Sequence, residues 1–210
     1  MQTPSPAAPR QVDDARHQRV HDAVRALVRE QGVQISMDAV AARAGCSKQT
    51  LYARYGSKQS LLLRVLSEDS RKAAVLTGVP DSATLRPRLV AFARDHLARL
   101  SGPGTIGTAR LITGQACQFP DEVRALYGIW IEGLQERLAT WLQQAMRRGL
   151  LRHDDPHSAA ELLLGMIVGL DFDRQRFLVP HRDTTSLRTQ WAEFAVDSFL
   201  RAFAPPVPRT

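Results

Sequence analysis

Residues 36–58 read Ser36-Met-Asp-Ala-Val-Ala-Ala-Arg-Ala-Gly-Cys-Ser-Lys-Gln-Thr-Leu-Tyr-Ala-Arg-Tyr-Gly-Ser-Lys, the pattern of two short helices joined by a tight turn with a third helix beginning behind them. Ser36, Ser47 and Ser57 each stand just before a run with helical spacing. A serine hydroxyl there accepts from one of the amides that a helix start leaves without a partner. No Glu or Gln follows three positions later, so each start rests on a single cap and not on a reciprocal capping box. Gly45 tolerates positive φ and closes the first helix. Val40, Ala44, Cys46, Leu51 and Tyr55 have the spacing to form a small core. Lys48, Gln49, Thr50, Tyr52 and Arg54 are then left on the outer face of the second helix.

That outer face suits a nucleic-acid duplex. A major-groove reader is a helix whose early side chains reach base edges, flanked by cations and hydroxyls that hold phosphates. Gln49 and Thr50 fit the first task, and Lys48, Tyr52 and Lys58 the second, with Lys58 just inside a helix N-terminus where free amides favour an anion. Taken singly, each is equally an ordinary solvated residue. Their combination with the turn is what points to DNA.

The order and spacing of these pieces resemble the DNA-binding domain of the tetracycline-repressor (TetR) family of bacterial transcription regulators. The similarity covers residues 16–66. It runs through a first helix with Val20, Val24, Leu27 and Val28 on one face and Gly32 at its end, then Asp38-Ala-Val-Ala-Ala-Arg-Ala-Gly, Ser47-Lys-Gln-Thr-Leu-Tyr and Ser57-Lys-Gln-Ser-Leu-Leu. The resemblance implies contacts to phosphates and bases from Ser36, Lys48, Gln49, Thr50, Tyr52 and Lys58, to which the outward Arg54 is added. The chain also departs from the family pattern. Cys46 stands where valine is common, Gln49 where a small residue is common, Arg54 where histidine is common and Tyr55 where phenylalanine is common. The longer polar arms of Gln49 and Arg54 imply that the operator sequence is not that of relatives.

Composition agrees. The 210 residues carry a net charge of +7, of which residues 1–77 hold +5 and residues 78–210 only +2. A basic reading half suits a polyanionic partner. The most apolar run, residues 162–170, is nine residues long with two glycines, against about 20 for a membrane span. Residues 1–10 hold three prolines and no apolar run of a secretory signal, so a cytoplasmic protein without membrane contact is expected.

The remainder reads as helices at about 58–76, 83–100, 105–117, 121–148, 157–177 and 186–203, punctuated by Gly78-Val-Pro-Asp-Ser, Ser101-Gly-Pro-Gly, Phe119-Pro-Asp, Gly149 to Pro156 and Val179-Pro-His-Arg-Asp. The expected fold is all-α with about nine helices. An arm (1–14) precedes a helix-turn-helix domain (15–57), a linking helix (58–76), a helical effector-binding and dimerisation domain (77–203) and a tail (204–210).

The helix over 121–148 places Val123, Tyr127, Trp130, Leu134, Trp141 and Ala145 along one stripe, which is core in the plain case and effector lining in the sharper one. Phe92, His96, Gln115 and Phe119, with Trp130, Leu134 and Met166, are the candidate lining of a small, apolar or aromatic effector's pocket. Residues 159–172 are apolar nearly all round, which expects burial on more than one side, and Gly165 and Gly169 allow close approach of another backbone. With the amphipathic run Leu187, Trp191, Phe194, Ala195, Ser198 and Phe199, they form either an intrachain core or half of a four-helix dimer interface. The resemblance implies the latter, with Leu162, Gly165, Met166, Gly169, Trp191, Phe194 and Phe199 at a two-fold axis. Phe119-Pro-Asp, Arg148-Gly-Leu-Leu-Arg and Asp155-Pro-His-Ser-Ala-Ala-Glu-Leu-Leu-Leu-Gly look similar to the ligand domain of TetR regulators often linked to efflux and stress control.

The expected function is therefore a regulator, typically a repressor, that binds a palindromic operator as a homodimer and is released by a small effector. Two alternatives stay open: a redox-responsive regulator acting through Cys46, and a non-specific DNA-binding protein. No Gly-rich phosphate loop, H-E-x-x-H helix or Gly-x-Ser-x-Gly elbow is present, so no enzyme and no catalytic residue is expected. Cys46 and Cys117 lie far apart with no Cys/His set around them, so both are expected as reduced core residues, with no metal and no cofactor. Asp171, Asp173, Arg174 and Arg176 are expected as surface ion pairs.

Overall fold

The computed structural model describes the backbone of residues 9–72, 76 and 78–206, and among these residues it is helical with no strand. Residues 1–8 of the expected arm, 73–75 of the expected linking helix, 77 at the start of the expected effector-binding domain, and 207–210 of the tail lie outside the described residues. The helices are α1 (Pro9–Gln31), α2 (Met37–Ala44), α3 (Lys48–Tyr55), α4 (Lys58–Lys72), α5 (Leu85–Leu100), α6 (Pro103–Gly114), α7 (Pro120–Tyr127), α8 (Gly133–Arg147), α9 (Pro156–Val168), α10 (Asp171–Arg176) and α11 (Thr185–Ala202). A 3-10 turn, Gly32–Gln34, follows α1, and a π-turn, Gly128–Glu132, joins α7 to α8.

Three helix starts are capped as the serines foretell. The hydroxyl of Ser36 accepts from the Ala39 amide at 3.1 Å, that of Ser47 from Thr50 at 3.1 Å, and that of Ser57 from Ser60 at 3.0 Å. Gly45 ends α2 at φ 63° and ψ 44°, the left-handed cap. The arm is corrected in part: α1 already begins at Pro9, and proline is favoured in a first helical turn because its missing N–H has no helical partner to lose.

The expected nine or so helices are found as eleven helical segments among the described residues, or ten rods when α7 and α8 are taken as one. The difference comes from Gly169. At φ 54° it stops α9, so the apolar run expected to continue to residue 172 breaks into α9 and the short α10.

Two cores form among the described residues. One packs α5, α8, α9 and α11 around Leu89, Leu142, Leu163, Ile167, Val196 and Phe199. The other is centred on α1 to α4, with Val24, Val33, Val40, Leu51, Leu61 and Val65 essentially sealed from solvent. It is not closed by those helices alone, because Ile112 of α6 and Leu126 of α7 belong to it and Phe119, Val123 and Trp130 pack on its edge.

The single stripe expected over 121–148 is therefore split. A π-turn inserts one residue and rotates the downstream helix by about 100°. Upstream of it Val123 faces the reading half, and downstream Leu134, Trp141 and Ala145 enter the other core. Tyr127, expected on the stripe, is instead exposed.

Candidate nucleic-acid interface

Helix α3 is held by its buried side. Leu51 and Tyr55 are buried, and Val40 and Ala44 of α2 with Val20 and Val24 of α1 complete the packing. Cys46 packs half-buried at its edge. Because side chains three and four apart share a helix face, anchoring Leu51 and Tyr55 turns Gln49, Tyr52 and Ala53 outward. Tyr52 is 45% exposed, a large aromatic left in water by a monomer that buries its other tyrosine on this helix.

An open concavity on this surface is lined by Arg16, Ser47, Gln49, Thr50, Ala53 and Arg54. Arg16 comes from α1 and is not among the residues the sequence pattern singles out. Its signal there is weak, one basic residue at the edge of the helix-turn-helix match, and only the fold carries it to the start of α3.

The other expected residues are found in specific settings. Lys48 forms an exposed ion pair with Asp38 across the α2–α3 turn at 2.8 Å, and this hydrogen bond to the carboxylate raises the lysine pKa. The Thr50 hydroxyl lies 2.8 Å from the Ser47 hydroxyl. Lys58 points inward. Its ammonium donates to the Val33 carbonyl at 3.2 Å, lies 3.6 Å from Glu122 of α7 and sits 5.5 Å from the Phe119 ring centre. A phosphate contact from Lys58 requires its release from Glu122.

Gln115, expected in an effector pocket, is a bracket between the two halves. Its Oε1 accepts from the Val33 amide at 2.8 Å and its Nε2 donates to the Gln31 carbonyl at 2.9 Å. Phe92 and His96 stack in the other core with ring centres 5.8 Å apart, and burial, then the charge of Arg99, lowers the His96 pKa to about 4. Leu134 is buried and Met166 half-buried in that same core, whereas Phe119 and Trp130 lie on the core of the reading half. Of the seven candidate lining residues, Phe92, Leu134 and Met166 thus pack in one core and Phe119 and Trp130 in the other.

Of the expected interface residues, Leu162 and Phe194 are exposed, and a Cβ built on Gly165 meets nothing within 4 Å. Gly169 serves its own chain: a Cβ there would come to 3.0 Å from the Trp191 ring, whose Nε1 donates to the Ile167 carbonyl at 2.8 Å. Phe199 is corrected. It is fully buried and stacked on Phe203, so it offers no surface to a partner.

Asp171 is also corrected, from a surface ion pair to a buried acceptor of the His181 and Arg182 amides at 2.9 and 3.0 Å. It thereby folds the segment after α10 against α11, where the Arg182 guanidinium lies 3.6 Å over the Trp191 ring. Cys117 is exposed and not in the core. No helix among the described residues is long and apolar enough to cross a membrane. Among those residues one group has metal-ligating geometry, His17, His21 and Glu68.

Residues 21–65 match the family model described as bacterial regulatory proteins, tetR family, and residues 87–205 match that of the AefR-like transcriptional repressor, C-terminal domain. The chain belongs to the TetR family. It is a DNA-binding transcriptional regulator and not an enzyme. Among solved structures, this TetR-family chain is similar to the flavonoid-responsive regulator FrrA, at 30% identity and a TM-score of 0.76, over 92% of this chain and 100% of that one. A TetR transcriptional regulator from Agrobacterium tumefaciens aligns at 25% identity and a TM-score of 0.74, over 95% and 96%. A TetR-family regulator from Mesorhizobium loti shares the fold at 24% identity and a TM-score of 0.73, over 91% and 98%. No curated protein sequence matches the chain.

Proposed function

We propose that this regulator is a repressor that binds a palindromic operator as a homodimer and lets go when a small apolar or aromatic molecule enters its C-terminal helical domain. The observation that carries the reading is the exposed α3 face, with Gln49, Thr50, Tyr52 and Arg54 presented beside Arg16 and Lys48. Residues 15–57 are the reading unit, residues 58–76 link it, and residues 77–203 receive the effector and pair the two chains. Gln49, Thr50 and Arg54 reach base edges, while Ser36, Lys48, Tyr52 and Arg16 hold phosphates. Lys58 joins them once it leaves Glu122.

Pairing is supported by apolar side chains in water on adjacent helices: Leu162 on α9, and Leu187 and Phe194 on α11. Phe177, Leu178 and Val179, beyond α10, are exposed as well. Two reading heads on one duplex add their affinities and demand a palindrome. An aromatic effector is supported by the likeness to a flavonoid-responsive regulator. The effector must bind the released and DNA-bound forms with different affinity, and the junction of α6 and α7 with α1 and α4 is where that difference reaches the reading heads.

The test is binding to tiled DNA from around the protein's own gene at fixed near-physiological salt, with Tyr52→Ala and Lys48→Ala beside the unchanged chain. Selective binding to one palindrome, weakened at least tenfold in both variants, is expected. Equal binding to all fragments, unchanged by either substitution, would overturn the proposal in favour of non-specific DNA binding.

A further inference from the structure

His17 and His21 are four residues apart on α1, so both imidazoles leave the same face of the helix, and that face meets Glu68 of α4. The Nε2 of His17 lies 3.9 Å from one Glu68 carboxylate oxygen and the Nδ1 of His21 lies 3.2 Å from the other. One ligand atom from each of the three residues falls within 4.8 Å of the other two. With metal–nitrogen and metal–oxygen bonds of about 2.0–2.1 Å, ligand atoms around a tetrahedral ion stand about 3.3 Å apart. The triad is thus within a rotamer adjustment of ligation.

A second observation bears on the same atoms. The remaining ring nitrogen of His17, Nδ1, is 3.0 Å from the hydroxyl of Tyr55. A ligating histidine nearly always uses its other nitrogen to donate to an outer partner that fixes ring orientation and tautomer. The Tyr55 hydroxyl is the atom that meets His17. The half-exposed Arg64 guanidinium also approaches Glu68, at 4.0 Å, and lies 5.7 Å from the Tyr55 ring centre.

We propose that His17, His21 and Glu68 form a site for a divalent first-row transition ion, with Zn2+ the best match to two imidazoles, one carboxylate and a fourth position left for water. Two nitrogens and one oxygen suit such ions better than Mg2+ or Ca2+, which call for oxygen ligands in greater number. The ion ties α1 to α4, and through Tyr55 it reaches the C-terminal end of α3. Occupancy therefore fixes the reading helix against the helix that leads to the rest of the chain. Its effect on operator affinity rests on the function proposed above; binding of the ion does not. The sequence pattern gives no sign of the site, because neither cysteine belongs to it and Glu68 lies far from the two histidines in the chain.

The experiment is titration of the untagged, chelator-stripped full chain with Co2+, followed by visible absorption, then displacement by Zn2+. One Co2+ per chain with the intense visible bands of a low-symmetry nitrogen–oxygen site, displaced by one equivalent of Zn2+, is expected. His17→Gln and Glu68→Gln, both at partly exposed positions, are expected to weaken binding at least tenfold while circular dichroism stays unchanged. Tyr55→Phe is expected to weaken it about tenfold, the usual effect of losing an outer partner. Should either variant misfold, paramagnetic shifts of the His17 and His21 ring protons in the unchanged chain decide the same point. Absence of stoichiometric binding, or bands that persist in both variants or leave those ring protons unshifted, would overturn the proposal and place any bound ion elsewhere, for example at the exposed His157 beside Glu136.

Discussion

Replacing Gln115 by alanine tests whether one buried side chain joins the two halves of the molecule. Gln115 is 7% exposed and its amide satisfies two backbone groups, the Val33 N–H and the Gln31 C=O, 82 and 84 positions away in the chain. Leaving the buried Val33 amide without a partner costs about 1–3 kcal/mol, so the variant is expected to lose about that much, while the Gln31 carbonyl, on an exposed residue, can turn to water. For a chain of this size that is a fall in Tm of roughly 2–12 °C.

Gly32 sharpens the argument. It holds φ at 65°, and a Cβ placed on it would collide with the Gln115 Oε1. Gly32→Ala therefore adds left-handed strain of about 1–2 kcal/mol and also pushes the amide off its two bonds. In the Gln115→Ala background only the strain remains. The double variant is thus expected to be more stable than the sum of the singles by about 2 kcal/mol, measured by urea unfolding of all four proteins. Additivity within about 0.5 kcal/mol would refute the bracket.

Three further outcomes are expected from the same structure. His96 titrates near 4 in the folded chain against about 6.5 unfolded, so the unfolded chain takes up the proton first. Its contribution is complete above about pH 6.5 and is lost as pH falls toward 4; about 1 kcal/mol should go between pH 7.5 and 5.5, and His96→Leu should lack that share of the pH slope in denaturant titrations. An identical slope in both proteins would exclude it. Phe194→Asp combined with Leu162→Asp is expected to yield monomers in light scattering after gel filtration, and a dimer of unchanged affinity would remove α9 and α11 from the interface. Ser47→Ala removes the cap of α3 and should lower stability by about 1 kcal/mol in urea; an unmoved midpoint would show that the cap is replaced.

The reading helix was legible because everything that makes it is local. Ser47 caps an amide three residues on, Gly45 ends the helix before it, and Leu51 and Tyr55 mark the buried side by their spacing. Once those two are anchored, the exposure of Gln49 and Tyr52 follows from helical geometry. The breaks at Gly78, Pro103, Pro120 and Pro156 were legible for the same reason, since each acts on its own neighbours.

Other features depend on which helix meets which. A π-turn is not signalled by the periodicity of residues 121–148, yet it sends Val123 and Trp141 to different cores. Phe199 and Phe194 lie on one amphipathic run, but only the packing of α11 on α5 and α9 buries the first and leaves the second in water. Gln115 reads as a pocket-lining residue until α6 is laid against the end of α1. His17, His21 and Glu68 come together only when α1 packs on α4. By itself the sequence determined the helices, their caps and the chemistry offered at α3, because hydrogen bonds and side-chain spacing within a turn or two set those. The shared core, the Gln115 bracket and the two-histidine, one-carboxylate cluster were decided by tertiary structure, because each joins groups whose only relation is the burial of the helices that carry them.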